Sequence, residues 1–365
     1  MTTTPLDHDF ESVTAGLVQP QLPRWAAVLI GAMALAVAGL LTMVMGWSVV
    51  GGAILAGLLF VIGMPTWSRV VEGGRAAADR LATCLVWGAF VAVLVPLIWL
   101  VWLVLKNGLG AISLSFLNES MRGVVGEGGG IYHALMGTLL VTLAATVISV
   151  PIGLFTAIYL VEYGKGSRLA RVTTFLVDVM TGIPSIVAGL FALALLVLIF
   201  GPAIRIGFGG SIALALLMIP TVVRSAEEML RLVPSDLREA SYALGVPKWR
   251  TIVKVVMPTA FGGIVTGIVL AISRVIGETA PLLIVAGATD SVNMNLFNGR
   301  MMTLPVYIFS QYSSPGVPAF GTDGPPPGYA RAWGAALVLI GIVMILNLAA
   351  RILQKIYAPK SDRRR

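Results

Sequence analysis

Eight uninterrupted apolar runs dominate this 365-residue chain, at about 25–46, 48–66, 83–105, 135–160, 174–200, 207–223, 260–287 and 332–352. A helix rises 1.5 Å per residue, so ~20 apolar residues cross the hydrocarbon core of a bilayer and runs of ~18 or more read as spans. The runs are continuously apolar and do not alternate in twos, which predicts helices and not a transmembrane barrel. Composition excludes most soluble alternatives: 57% of residues are hydrophobic and 12% charged, against about 25% charged in an average soluble domain. Such a chain has too little polar surface to cover itself in water. The first run is too long for a signal peptide, follows an acidic segment (Asp7, Asp9, Glu11) and is succeeded at once by a second run, so a retained helix is expected. The fold class expected is an all-α polytopic membrane protein with about eight spans.

The position of the charges says more than their net value of +8. With both termini in the cytoplasm, nineteen of the 25 Lys and Arg fall inside, five fall outside (Lys106, Arg122, Arg205, Arg300, Arg331) and Arg274 lies within a span. That is the bias of the positive-inside rule, and the reverse topology would invert it. The basic tail (Lys360, Arg363, Arg364, Arg365) then reads as an anchor near anionic lipid, with no nucleic acid as partner. Cys84 is the one cysteine, which excludes an intrachain disulfide. His8 and His133 are far apart in sequence, which argues against zinc. No metal site is expected. Without a His/Asp/Glu cluster or an activated nucleophile, no catalytic residue is expected either.

Two parts are expected along the chain. Residues 1–82 hold a cytoplasmic segment and an accessory transmembrane hairpin, whose close spacing fits the small residues Ala53 and Gly57. Residues 83–365 hold six helices with more specialised loops. One outer loop, 106–134, contains Gly128, Gly129 and Gly130; another, about 288–331, contains Pro305, Pro315, Pro318 and Pro325 to Pro327. Loops this long are usually functional or disordered. The apolar stretch 301–309 suggests a partly ordered surface lying at the membrane interface.

The most informative segment is the cytoplasmic loop 224–258, RSAEEMLRLVPSDLREASYALGVPKWRTIVKVVMP. Pro234 ends the preceding helix, Asp236 and Glu239 have capping-box spacing, and Gly245 followed by Pro247 marks a helix end. Leu237, Ala240, Ser241 and Leu244 form an i, i+3, i+4, i+7 stripe. Two turns of helix are not stable alone in water, so this element has to dock on something. The stretch EASYALGVPKWRTIVKVVMP is similar to the EAA loop of ABC-importer permeases, with its acidic–Ala start, a Gly six residues on and a terminal Pro. That resemblance implies a coupling helix inserted into a separate ATPase, with Glu239, Ala240, Leu244 and Gly245 at the contact. The chain has no nucleotide site of its own: Gly164-Lys165-Gly166-Ser167 lacks the Gly-x-x-x-x-Gly-Lys-Ser/Thr spacing.

Ionisable residues at membrane depth are costly and usually functional. Arg274 and Glu278 have i, i+4 spacing, which on one helix would let each neutralise the other, and Arg224 lies within a turn of Glu227 and Glu228. Two readings stay open for the Arg224 group: an ion pair that eases insertion, or a fork of donors offered to a tetrahedral oxyanion. A neighbouring Glu could accept a hydrogen bond from a protonated phosphate, which sulfate cannot supply at neutral pH. Four stretches, GGGIYHALMGTLLVTL, PIGLFTAIYLVEY, TGIPSIVAGLF and RVIGETAPLLIVAG, with MMTLPVYIF, cover roughly 128–310 and resemble the PstA branch of phosphate ABC-importer permeases. The GETAPLL run is the most specific of them. The resemblance implies a type I importer permease core in the bacterial cytoplasmic (inner) membrane. It implies a heterodimer with a PstC-like permease, two copies of a PstB-like ATPase holding ATP and Mg, and a periplasmic or lipid-anchored phosphate-binding protein. No cofactor is expected on this chain. By the same resemblance Arg224 is important for transport, with Glu227, Glu228, Arg274 and Glu278 also in the substrate pathway. Permeases for sulfate, molybdate or phosphonate are the nearest alternative, and an ion-coupled secondary transporter is a further one. The extra N-terminal helices depart from the six-helix family core.

Overall fold

A backbone in hydrocarbon has no water to satisfy its N–H and C=O groups, so it crosses as helix. The computed structural model describes residues 21–318 and 324–357, which contain helices and no strand. The acidic N-terminal segment with His8, and the basic tail, lie outside the described residues. The helices are α1 (Ala26–Met45), α2 (Val49–Val71), α3 (Gly74–Gly108), α4 (Leu114–Asn118), α5 (Tyr132–Ile158), α6 (Arg168–Thr181), α7 (Ser185–Phe200), α8 (Gly207–Arg231), α9 (Ser235–Ala243), α10 (Lys248–Thr251), α11 (Met257–Val275), α12 (Ala280–Val285), α13 (Leu304–Ser313) and α14 (Pro327–Tyr357). π-helical turns, Tyr159–Tyr163 and Ile252–Val256, extend α5 and join α10 to α11.

Seven of these stretches are long and apolar enough to cross a membrane, and the bent pair α6–α7 makes an eighth if it is one span. Two expected spans are not continuous helices. The run 174–200 breaks at Gly182–Pro184, where α6 and α7 meet at 109°. Proline lacks the N–H for the helical ladder and pushes the residue before it toward extended backbone, and Pro184 has ψ of 139°. The run 260–287 ends as helix at Val275 and resumes at Ala280, with Pro281 in its first turn.

The chain divides into two compact units, Met1–Trp102 and Leu103–Arg365. Residue 83, where the sequence suggests the six-helix part begins, lies inside α3. In the first unit, Gly46 at φ 66° and the Ser48 cap, which accepts from the Gly51 N–H at 3.2 Å, turn α1 directly into α2. Ala26, Ile30, Ala34 and Ala38 of α1 face Gly52, Ala56, Met64 and Ser68 of α2. A Cβ on Gly52 would stand 2.5 Å from Thr42 Cγ2, so this glycine sets the approach. Ala53 and Gly57, the small residues expected at this contact, are instead exposed, because they sit one position around the helix from the facing stripe. The base of the unit is closed by the buried carboxylate of Glu72. It accepts two hydrogen bonds from Arg80 (2.8 and 2.9 Å), one from Ser68 (2.6 Å) and one from the Leu22 N–H (2.7 Å).

In the second unit α8 is the central helix, and α5 lies along it. A Cβ on Gly153 would come 2.7 Å from Val222 Cγ1, so α5 and α8 touch at closest range there. Val141 and Ala145 of α5, Leu214, Met218 and Val222 of α8, and Ala271 and Val275 of α11 share one core. The stretch around Met301, Leu304, Val306 and Tyr307 joins that core with 0–1% exposure. It does not lie at an interface as expected: Met301 N–H bonds the Ala286 carbonyl (3.1 Å) and Leu304 N–H the Thr138 hydroxyl (2.7 Å). Side-chain apolarity alone cannot tell burial in protein from contact with lipid. The buried Arg331 donates to the carbonyls of Gly128 (2.9 Å) and Gly126, which holds the Gly-rich loop.

The Arg80, Ser68 and Leu22 donors hold the Glu72 carboxyl at about 2, below the ~4.3 of an unperturbed glutamate. A depressed pKa contributes stability that is complete above the unfolded value and is lost as pH falls toward the folded one. Trp25 and Trp67 pack edge to face in the same unit, 6.1 Å apart. Tryptophan emission of the purified protein should therefore hold steady down to about pH 4 and change between there and pH 2. Glu72→Gln should remove that step; an identical acid profile in the variant would show that the lock does not hold the base of the unit.

Candidate functional site

The loop 224–258 is built to stand out from the bundle while being gripped at its root. Pro234 precedes α9 without a side-chain cap, and the helix starts at Ser235, so the expected Asp236–Glu239 capping box does not form. The reason is the proline: its ψ of 141° places it in the cap position, two residues before the one the spacing suggests. The end of α9 follows the expectation. Gly245 has φ 73°, its N–H bonds the Tyr242 carbonyl (2.9 Å), and Val246 N–H bonds that of Ser241 (3.2 Å), a Schellman ending.

Of the apolar stripe only Ser241 is buried, where its hydroxyl meets that of Thr251 at 2.8 Å. Leu237, Glu239, Ala240, Tyr242, Leu244 and Gly245 are exposed, Leu244 at 82%. A Cβ on Gly245 would meet nothing within 4 Å. The face carrying the expected coupling residues is therefore uncovered among the described residues.

The grip comes from Arg238. Its guanidinium donates to Glu162 Oε1 at 2.8 and 3.0 Å, to the Leu230 carbonyl at 2.9 Å and to the Val233 carbonyl at 2.6 Å. Glu162 is buried in the π-turn after α5. Lys248 Nζ donates to the Glu162 carbonyl and lies over the Tyr163 ring. Through its carboxylate to Arg238 and its main-chain carbonyl to Lys248, the buried Glu162 ties the end of α5 to both helices of the loop, and Arg238 extends the tie to the end of α8. The sequence reading did not single out Arg238 or Glu162; a charged residue directly after an apolar run is the signal that Glu162 offered.

In the last turns of α8, Arg224 is held on both sides. Its Nη1 donates to Glu227 at 2.8 Å, and its Nη2 pairs with Asp178 of α6. The buried Glu227 also accepts from Arg231 at 2.6 Å. Glu228 is exposed, and no ion pair involves it among the described residues. Asp178 is the addition that tertiary structure makes, although an aspartate inside the apolar run 174–200 was a visible anomaly. Arg274 and Glu278 do not neutralise each other as expected. α11 ends between them at Val275, so helical i, i+4 geometry is lost, and no ion pair joins them among the described residues. They do border one cavity.

Apolar helices of crossing length, a central helix with an ion-paired end and a projecting two-helix loop are the parts of a multi-pass transport component. Residues 149–363 match the family model described as the inner membrane component of binding-protein-dependent transport systems. The chain belongs to the PstA family of phosphate transport system permease proteins. It is 49% identical over 293 residues to PstA 1 of Mycobacterium tuberculosis, covering 80% of this chain and 93% of that protein. It is 46% identical to PstA of Mycobacterium leprae (77% and 90% covered) and 38% identical to PstA of Yersinia pestis (78% and 92% covered). The solved inward-facing MetNI methionine ABC transporter aligns with 68% of this chain and 100% of its own, at 20% identity and a TM-score of 0.49.

Removing one partner of a buried ion pair costs about 3–5 kcal/mol, because the other charge stays buried. Arg238→Ala should therefore lower the thermal unfolding midpoint of the purified protein, and Glu162→Gln should lower it less, since a neutral amide can still accept from Arg238. Equal midpoints for Arg238→Ala and the parent would remove the grip from the account.

Proposed function

We propose that this chain is the transmembrane permease subunit of an ATP-driven importer that carries inorganic phosphate across the cytoplasmic membrane. The single observation that carries the reading is the 49% identity to a phosphate transport system permease across 93% of that protein's length. The chain is a non-catalytic permease, and hydrolysis belongs to a separate ATPase. That partner is PstB-like, present in two copies that hold ATP and Mg. A PstC-like permease completes the pathway, and a periplasmic or lipid-anchored protein delivers phosphate. No cofactor resides on this chain. Both termini and the loop 224–258 face the cytoplasm, as the excess of Lys and Arg on that side supports.

The exposed face of α9 supports its role as the coupling helix. Glu239, Ala240, Leu244 and Gly245 present an apolar and acidic surface that nothing within the described chain covers. A force applied there reaches Glu162 through Arg238 and, along α8, the Asp178–Arg224–Glu227 group. Closure of the motor would rock the permease between outward- and inward-facing states. The 1–82 segment adds two crossings to the six-helix core at 83–365, and an even number preserves its orientation.

Labelled phosphate uptake should vanish in starved cells that lack this chain and all redundant phosphate systems, and return with it, with sulfate and molybdate failing to compete. Uptake that never depends on the chain would overturn the phosphate reading. Arg224→Gln should abolish uptake while the complex still co-purifies; normal uptake would take Arg224 out of the pathway. Gly245→Trp puts a bulky side chain on the open face and at φ 73°, so the ATPase should no longer co-purify with the chain. Unchanged co-purification would move the contact elsewhere.

A further inference from the structure

In the first unit, α3 stands apart from the hairpin that precedes it. The chain leaves α2 through Gly73 at φ 94°. At this foot the Glu72–Arg80 pair, and Cys84 packed against the core of Leu22, Ala26 and Met64, hold α3 to the hairpin. Above the foot α3 does not pack along α1 or α2. A cavity of about 830 Å³ opens there, in the size range of sites that hold small organic ligands. Its walls are regular helix faces. Gly57, Phe60, Val61 and Met64 follow i, i+3, i+4, i+7 spacing on α2. Arg80, Thr83, Cys84, Trp87, Gly88 and Val91 keep the same period on α3. A Cβ on Gly57 or Gly88 would meet nothing within 4 Å, so these glycines serve no helix contact and instead widen the cavity.

The depth of the cavity is that of one leaflet. From Arg80 at its mouth to Val91 at its far end, α3 rises about 16 Å, and half of a ~30 Å hydrocarbon core is about 15 Å. α3 itself runs on to Gly108. A transmembrane partner helix would follow that whole length, whereas an acyl chain of one leaflet ends where the cavity does. The distribution of Lys and Arg puts the mouth on the cytoplasmic side. Both signs of charge stand there. Arg80 gives its Nε and Nη2 to Glu72, which leaves the Nη1 hydrogens for a ligand, and the Gln21 amide lines the same mouth. Asp79 is exposed and makes no hydrogen bond or ion pair among the described residues. With Glu72 and Arg80 cancelling, Asp79 leaves the lining net negative, which disfavours a purely anionic headgroup. Arg24 and Arg75, exposed and close in the chain to lining residues, add positive charge around it. A headgroup with a phosphate and a primary ammonium matches both signs.

We propose that this cavity is a binding site for an aminophospholipid of the cytoplasmic leaflet. One acyl chain lies between Gly57 and Gly88, the phosphate accepts from Arg80 and the Gln21 amide, and the ammonium donates to Asp79. Basic pockets between transmembrane helices on the cytoplasmic side seat phospholipid headgroups. Charge-assisted hydrogen bonds at both the phosphate and the ammonium give this one its selectivity. The lipid fills the space between the hairpin and α3, so the packing of the first unit depends on membrane composition. All lining residues fall between 21 and 91, which makes the site independent of what the second unit transports.

Cys84, the one cysteine of the chain, lines the cavity and reports its occupancy. The purified whole chain in detergent micelles is treated with N-ethylmaleimide while phosphatidylethanolamine, phosphatidylcholine or phosphatidylglycerol with the same acyl chains is added. Phosphatidylethanolamine should slow alkylation saturably, at a lipid concentration about tenfold lower than the other two need, the selectivity of one charge-assisted hydrogen bond. Phosphatidylcholine has no N–H to donate to Asp79, and phosphatidylglycerol has no ammonium. Asp79→Asn should abolish the preference while protection at high lipid remains. Gly88→Leu, whose side chain enters the open space, should make alkylation independent of lipid; Gly57→Phe takes its place if that variant does not fold. Equal protection by the three lipids, a preference for phosphatidylglycerol, or a preference that survives Asp79→Asn would each overturn the headgroup assignment. Alkylation that no lipid slows would overturn the site, and protection of Cys84 in native membranes alone would assign the cavity to a protein helix.

Discussion

A backbone inside hydrocarbon has to satisfy its own hydrogen bonds, and every departure from helix there has to be covered by protein or by a polar cavity. In this chain the departures are few and they coincide with polar side chains. The break at Gly182–Pro184 lies beside Thr181 and Ser185, and the gap after Val275 lies between Arg274 and Glu278. The π-turn Tyr159–Tyr163 carries Glu162. Regular helix does the spanning; the interruptions gather the chemistry. π-turns inside α-helices are frequent at functional sites; here Ile252–Val256 lies in the projecting loop, and Tyr159–Tyr163 carries Glu162, which the loop's Arg238 and Lys248 contact.

The loop shows how a short helix can be exposed and still be mechanically connected. Nine residues of α9 could not hold a helical structure alone. Arg238 supplies the hold by satisfying three acceptors at once: the Glu162 carboxylate and the carbonyls of Leu230 and Val233 where α8 ends. Those carbonyls are the groups that a helix leaves unpaired at its C-terminus, so the same guanidinium caps α8 and anchors α9. The outward face can then remain apolar and unpaired without the element fraying. The glycine contacts between α5 and α8 provide the complementary rigidity, since two backbones in close contact move together.

Much of this was legible beforehand because it depends on local pattern. The apolar runs, the two-helix loop and the left-handed turn at Gly245 all follow from composition and spacing over a few residues. What was misread shares one cause. The expected Arg274–Glu278 pairing, the Asp236–Glu239 capping box and an interfacial stretch at 301–309 each assumed regular local geometry. A proline upstream or downstream, or a long-range contact with Thr138, overrode it. Ala53 and Gly57 were assigned to the hairpin contact by size, whereas the contact uses Gly52 and Ala56 by angular position.

The amino-acid sequence alone determined that this chain spans a membrane many times, which segments do so and where a short two-helix loop interrupts them, since each of these depends on hydrophobicity and turn chemistry read within one segment. Tertiary structure decided which charges meet. Asp178 reaches Arg224 across 46 positions and Glu162 reaches Arg238 across 76, separations at which sequence spacing carries no geometric information. Only the packing of α6 against α8 and of the α9 loop against the end of α5 brings them within hydrogen-bond range.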